Sequence, residues 1–263
     1  MYYTVNNVKL YVKDEGEGSL ALLFLNFWGG STETWNGVTT QLKDNFRCIN
    51  YDHRGWGQSE KPETGYDIAS LAEDALALIA TLNLDDYVIV GHSMGGKVAQ
   101  YIAARKPAGL RKLILVAPSP SVPTVMPPER YEGMKRAYTS IEGINATIDN
   151  VFKASDIKPE IRAQLVHDMQ SHNESSRIGW PTIALIEDVS AGVDGIEVPT
   201  LIIAGENDIV DPPERLAIEV EAVIAGSKLV IVEDAGHLSM LQQPDCVAEL
   251  IGHFAKANLQ EQL

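Results

Sequence analysis

Tyr87-Val88-Ile89-Val90-Gly91-His92-Ser93-Met94-Gly95-Gly96 is the stretch that decides the fold. An apolar, β-branched run ends in a glycine-flanked serine, and the residues from Met94 to Ala104 continue with helical spacing. This is strand, tight turn, helix, the setting a G-x-S-x-G nucleophile needs. Ser93 must sit on a strained turn, and bulkier residues at 91 and 95 would meet the adjoining backbone. The turn lifts the Ser93 hydroxyl above the sheet. The helix that follows aims its N-terminal N–H groups at any developing anion. Alone, the motif also fits an idle serine on a glycine-bearing turn.

Outward from that turn, short β-like runs alternate with helical patterns. Val8 to Val12 alternates like a half-buried strand after an Asn6-Asn7 turn signal. Leu20 to Leu25 is continuously apolar, as a strand buried on both faces would be. Phe46 to Tyr51, Leu113 to Val116, Thr200 to Ala204 and Leu229 to Val232 are further strand candidates. Helical patterns cover Ile68 to Leu82, Pro213 to Ile224 and Pro244 to Ala257, with both prolines where a first helical turn tolerates them. The expected class is α/β: a mostly parallel sheet of about eight strands, helices on both faces, and a helical cap insertion. The cap is expected over residues 119–195, where no convincing strand appears after Pro118, Pro120, Pro123, Pro127 and Pro128. Residues 1–118 and 196–263 form the core. Such a cap would cover the sheet edge where ligands bind in open α/β sheets.

The same edge should supply a base and an acid, because a serine hydroxyl is a poor nucleophile without help. His237 follows the last strand candidate in Glu233-Asp234-Ala235-Gly236-His237, with Gly236 giving freedom to turn the imidazole toward Ser93. Asp208 follows the preceding strand in Gly205-Glu206-Asn207-Asp208 and would hold the imidazole tautomer. Asp211 is the rival acid, further from the strand end. The other histidines read as structural: His53 hydrogen-bonded locally, His92 packed beneath the turn, and His167, His172 and His253 on mixed-polarity helices. None makes a metal-ligand spacing.

Together these segments resemble the α/β-hydrolases of the esterase, lactonase and cofactor-free haloperoxidase (perhydrolase) group. The resemblance runs through Phe27 to Gly30, Asp52 to Ser59, the serine turn, Gly205 to Val210, and Gly236-His237-Leu238. It implies the chain order Ser93, Asp208, His237 for a catalytic triad. It also implies an oxyanion hole from the Met94 and Trp28 N–H groups. The segment Leu25-Asn26-Phe27-Trp28-Gly29-Gly30 departs from the group's pattern, since Asn26 and Phe27 replace the usual His-Gly pair. Phe27 and Trp28 are expected to wall the acyl pocket, with Met134, Trp180 and Ile183 as candidate lining from the cap. Cap-to-core packing explains those three residues equally well. Dehalogenases and epoxide hydrolases of similar fold carry Asp at the turn, and Ser93 argues against both.

The implied reaction is hydrolysis of a small carboxylic ester or lactone through an acyl-enzyme, with no cofactor and no metal. Perhydrolysis uses the same residues. So does C–C cleavage of a β-diketone-like substrate, the alternative enzyme class; a triad-bearing small-molecule receptor is the non-enzymatic alternative. A net charge of −15 over 263 residues disfavours nucleic acid and anionic membranes as partners. No stretch approaches the ~18 to 20 apolar residues that cross a bilayer. The N-terminus does not read as a signal peptide. Two cysteines, Cys48 and Cys246, make no disulfide framework and suggest a reducing, cytoplasmic setting, in which the sequons at Asn145 and Asn173 have no role. No repeat, low-complexity tract or disordered tail beyond the last few residues is apparent. The sequence carries no signal for oligomeric state.

Overall fold

Asn6 and Asn7 carry φ angles of 48° and 61°, the left-handed pair that a two-residue hairpin demands. The chain therefore turns back on itself between β1 (Tyr2–Val5) and β2 (Val8–Glu15), which pair antiparallel from Val5↔Val8 to Tyr2↔Tyr11. Val8, Leu10 and Val12 point inward, as the alternation requires. The structure, a computed structural model, describes residues 1–257; the last few residues, where the sequence suggests a tail, lie outside the described residues.

Six further strands complete one sheet: β3 (Ala21–Leu25), β4 (Arg47–Tyr51), β5 (Tyr87–His92), β6 (Leu110–Val116), β7 (Thr200–Gly205) and β8 (Lys228–Val232). Their order is β1-β2-β4-β3-β5-β6-β7-β8, parallel from β4 to β8. Every residue of β3, β5 and β7 is buried. Between them run α1 (Asn36–Leu42), α2 (Ile68–Thr81) and α3 (Met94–Ala104), and after them α8 (Pro213–Leu216), α9 (Ser239–Gln242) and α10 (Pro244–Lys256). Helix α1 packs on α10 and α2 on α3. Asp67 caps α2 by accepting from the Ser70 N–H, and Leu71, Ala75, Leu78 and Ile79 bury its inward face. The helix expected from Pro213 to Ile224 is shorter: α8 passes into a π-helical turn at Ala217–Glu221.

Parallel register sets the site. Leu25 lies beside Gly91, His92 beside Val116, Val116 beside Ile203, and Gly205 beside Val232. The strands thus end together, and the segments after β3, β5, β7 and β8 leave from one edge. The chain order reverses between β3 and β5, where open α/β sheets leave a crevice for ligands.

Between β6 and β7 the chain makes an insertion of α4 (Pro128–Arg136), α5 (Ile141–Ala146), a π-helical turn (Thr147–Val151), α6 (Pro159–Gln170), α7 (Glu174–Thr182) and two short 3₁₀ turns. Its strand-like pairing among the described residues is an isolated bridge between His172 and Trp56. Its two legs are tied to each other, Thr124 N–H to Leu185 carbonyl at 3.1 Å and Val189 N–H to Ser121 carbonyl at 2.9 Å. Lys97 of α3 holds both legs. Its side chain is fully buried, and Nζ donates to the carbonyls of Val122 (3.3 Å), Leu185 (3.1 Å) and Glu187 (2.7 Å). A buried ammonium without partners would cost several kcal/mol; here carbonyls solvate it. Burial still pulls its pKa down to about 8, against the pull of Glu187 and Asp188.

Candidate active site

Ser93 sits at φ 52° and ψ −113°, a backbone strain that persists only where surroundings enforce it. The enforcement is visible atom by atom. The Ser93 N–H donates to the Val116 carbonyl, and its own carbonyl accepts from the Lys97 and Ser119 N–H groups. A Cβ at Gly95 would lie 2.3 Å from the Leu25 carbonyl oxygen, and one at Gly91 would lie 2.4 Å from that of Gly95. The Ser93 hydroxyl makes no hydrogen bond with any described residue, and the residue keeps 7% of its surface exposed.

Asp208 and His237 come together from the loops after β7 and β8. His237 Nδ1 lies 2.8 Å from Asp208 Oδ2. The other carboxylate oxygen accepts from the N–H groups of Val210 and Asp211. Burial pushes Asp208 toward its neutral form, but His237 and these two amides outweigh it and hold the carboxyl below its ordinary range. Burial pulls His237 down, and the charge and hydrogen bond of Asp208 outweigh that and leave it above its usual value. Asp211 makes no bond to the imidazole. It accepts from Arg215 at 3.1 Å, and burial pushes it up to about 7.

The remaining histidines have other places. His92 is fully buried, and its Nε2–H donates to the His237 carbonyl at 2.8 Å, beneath the serine turn. Burial holds it well below the ordinary histidine range, so the ring is neutral. His53 makes no hydrogen bond of the local kind the sequence suggested; burial lowers it to about 4 against a weak pull from the Asn26 backbone, and its ring lies edge-on to Tyr51. Beside it, Arg54 grips the buried Asp74 of α2 through two bonds of 2.6 Å, and Asp52 accepts from the Thr32 and Gln58 N–H groups. This braces the loop that follows β4 against the segment facing Ser93.

In that facing segment Asn26 does local structural work. Its Nδ2 donates to Asn50 Oδ1 and to the Tyr51 carbonyl. Phe27, Trp28, Gly29 and Gly30 form a turn closed by Gly30 N–H to the Phe27 carbonyl at 2.9 Å, with Gly29 at φ 102°. The Met94 and Trp28 N–H groups donate to no acceptor among the described residues. Phe27 lies edge-on to His92, with ring centres 5.2 Å apart.

The insertion reaches this centre through residues that sequence reasoning missed. Tyr138 stacks on Trp28 at 4.1 Å, and its hydroxyl donates to the Trp28 carbonyl at 3.0 Å. The Trp28 indole N–H donates to the Arg177 carbonyl. Phe152 stacks on the His237 ring, and its carbonyl accepts the His237 N–H at 2.8 Å. Of the residues expected to line a pocket, Trp180 is buried and Met134 partly buried, both packed on the core. Ile183 is 44% exposed and faces outward: Pro181 and the backbone at Ile183 (φ −126°, ψ −77°) end α7 before it can continue the Trp180 face. Among the described residues, no group of His, Cys, Asp and Glu side chains is arranged to hold a metal ion, and no helix is long and apolar enough to cross a membrane.

A family model described as the alpha/beta hydrolase family matches residues 22–250. The AB hydrolase superfamily protein YisY of Bacillus subtilis is 31% identical, over 97% of this chain and 98% of its own. Among solved structures, the enol-lactonase of Burkholderia xenovorans superposes with a TM-score of 0.86 at 25% identity, over 98% of this chain and 100% of its own. An esterase of Exiguobacterium antarcticum gives 0.87 at 26% identity, over 98% and 99%.

Proposed function

The chain belongs to the alpha/beta hydrolase family, and from that premise we propose that it cleaves a small carboxylic ester or lactone through an acyl-enzyme on Ser93. The observation that carries this reading is the 2.8 Å bond between His237 and Asp208, at the sheet edge where Ser93 is held in strain. Ser93 Oγ attacks the carbonyl carbon while its proton passes to His237 Nε2. The carbonyl π pair moves to oxygen, and the Met94 and Trp28 N–H groups stabilise that oxyanion. Collapse breaks the bond to the alkoxy oxygen, which takes the proton from His237. Water then gives its proton to His237 and attacks the acyl carbon, and the second collapse frees the acid while Ser93 Oγ takes that proton back from His237. Asp208 stays ionised throughout and steadies the imidazolium.

The insertion of residues 119–195 serves in this reading as a cap. Phe27 and Trp28 wall the acyl side, with Met134 and Trp180 behind them. The likeness to an enol-lactonase and an esterase supports a small ester or lactone substrate. No cofactor enters the sequence of steps. Cys48 is buried and Cys246 exposed, both unbonded, which fits a reducing, cytoplasmic setting.

The test is pre-steady-state kinetics with p-nitrophenyl acetate. A burst of nitrophenolate stoichiometric with enzyme, absent in Ser93→Ala, is the expected result. Absence of both burst and turnover, with ligand binding retained in Ser93→Ala, would establish a receptor instead. A panel of esters, lactones and β-diketones, with and without peroxide, then assigns the substrate class; fastest turnover on the diketone would replace ester cleavage with C–C cleavage.

A further inference from the structure

The base is held from the cap side as well as from the sheet. The π-helical turn at Thr147–Val151 ends at Phe152, whose N–H closes onto the Thr147 carbonyl at 2.9 Å. Single π-turns in helices are frequent at functional sites. Here the residue that follows the π-turn, Phe152, carries two contacts to His237. Its carbonyl accepts the His237 N–H at 2.8 Å, and its ring lies against the imidazole with centres 5.3 Å apart and planes 28° from parallel. The approach is so close that a Cβ at Gly236 would lie 2.3 Å from the Phe152 oxygen. Gln242 locks the contact, accepting from the Gly236 N–H and donating to the Lys153 carbonyl.

We propose that Phe152 is a positioning residue for the base: its carbonyl fixes the His237 backbone, and its ring face stabilises the imidazolium formed when His237 takes the Ser93 proton. This rests on the acyl-enzyme reading. The other groups facing His237 are Asp208 and Asp211 from the loop after β7 and His92 from β5. The two carboxyls favour the imidazolium through charge. His92 is neutral and engaged with the His237 carbonyl. From the cap, Phe152 brings a negative ring face and Lys153 follows it against Gly236. A facing aromatic ring raises an imidazole's proton affinity by roughly half a pH unit to one unit.

Phe152→Leu keeps the backbone carbonyl and the apolar bulk and removes the ring. The acid limb of kcat/KM for p-nitrophenyl acetate is expected to move down by that amount, while Phe152→Tyr leaves it in place. A fluorinated phenylalanine at 152 keeps the shape and drains the ring face of electrons, so it tests the same shift if the leucine variant does not fold. An unmoved limb in Phe152→Leu or in the fluorinated protein overturns the inference, as does an equal shift in Phe152→Tyr. If the native protein shows no burst, or Ser93→Ala retains one, the acyl-enzyme reading falls and this inference with it. A normal burst with an unmoved limb removes the role of Phe152 alone.

Discussion

The sheet edge and the cap hold the same small volume in opposite ways. At the sheet edge Ser93 and Asp208 are placed largely by their own neighbours in the chain, while His237 takes a second hold from Phe152 of the insertion. Ser93 is fixed by glycines two residues either side, and Asp208 by the amides of Val210 and Asp211. The cap is held by single side chains reaching distant backbone: Lys97 to Val122, Leu185 and Glu187, Tyr138 to Trp28, and Gln242 to Lys153. Support at the edge is therefore mostly local, and that of the cap rests on a few long contacts. In the proposed acyl-enzyme reading Ser93 and Asp208 draw on the first kind of support, since small misplacements cost rate steeply. In the same reading the insertion, as the surface that would admit and select substrates, relies on the second.

Substitutions on each side measure this difference. The largest effect is expected from Asp208→Asn, which keeps the shape and loses the tautomer control: kcat should fall by about 10⁴-fold. Asp211→Asn should cost less than about tenfold by the same assay, because Asp211 bonds Arg215 and not the imidazole. A deeper loss in Asp211→Asn would make it the working acid. Gly95→Ala tests local construction at the edge. Its Cβ would meet the Leu25 oxygen at 2.3 Å, so thermal unfolding should show a loss of about 1–3 kcal/mol, with activity reduced as the turn shifts. Wild-type stability in that variant would show that the turn is not set by steric fit.

The cap side gives smaller and more selective effects. Tyr138→Phe deletes the bond to the Trp28 carbonyl and keeps the stacked ring, so kcat should fall several-fold, in keeping with about 1 kcal/mol for one hydrogen bond. Lys97 gives a pH signature. In the unfolded chain its amine holds a proton up to the ordinary lysine value of 10.5, whereas burial in the fold brings it to about 8. Between these values the unfolded state binds more protons, so this group makes stability rise with pH. Lys97→Met removes that slope. Urea unfolding at pH 7.5 and 9.5 should show the native protein gaining on the variant at the higher pH; parallel curves would mean that the amine is not titrating in that window.

The two regions also differ in how far residue order reveals them. The serine turn, Asp208 and His237 are legible because each lies just past an apolar run and next to glycines or turn formers whose chemistry is local. Of the eight strands, β1 is not legible: Tyr2-Tyr3-Thr4-Val5 is a short edge strand with one buried residue, and the alternation lies in its hairpin partner. Helix α1 is not legible because it is seven residues long, carries Gly37 in its first turn, and has Trp35 at its start with no side-chain cap. Phe152 and Tyr138 were hidden for a different reason. Their roles arise from contacts across 85 and 110 residues, where nothing in the neighbouring sequence marks them. Lys97 left a faint trace, a charge among Val98, Ala99 and Ile102 one turn beyond the nucleophile.

That lysine would make any parting of the insertion's two legs a proton-consuming event. Parting the two legs would expose the amine to water, where it regains its ordinary affinity for a proton. Above pH 8 each such excursion takes one proton from solution, so its equilibrium falls up to tenfold for every unit of pH until the amine would remain neutral in water too. Alkaline solution would thus quieten the cap without touching Ser93.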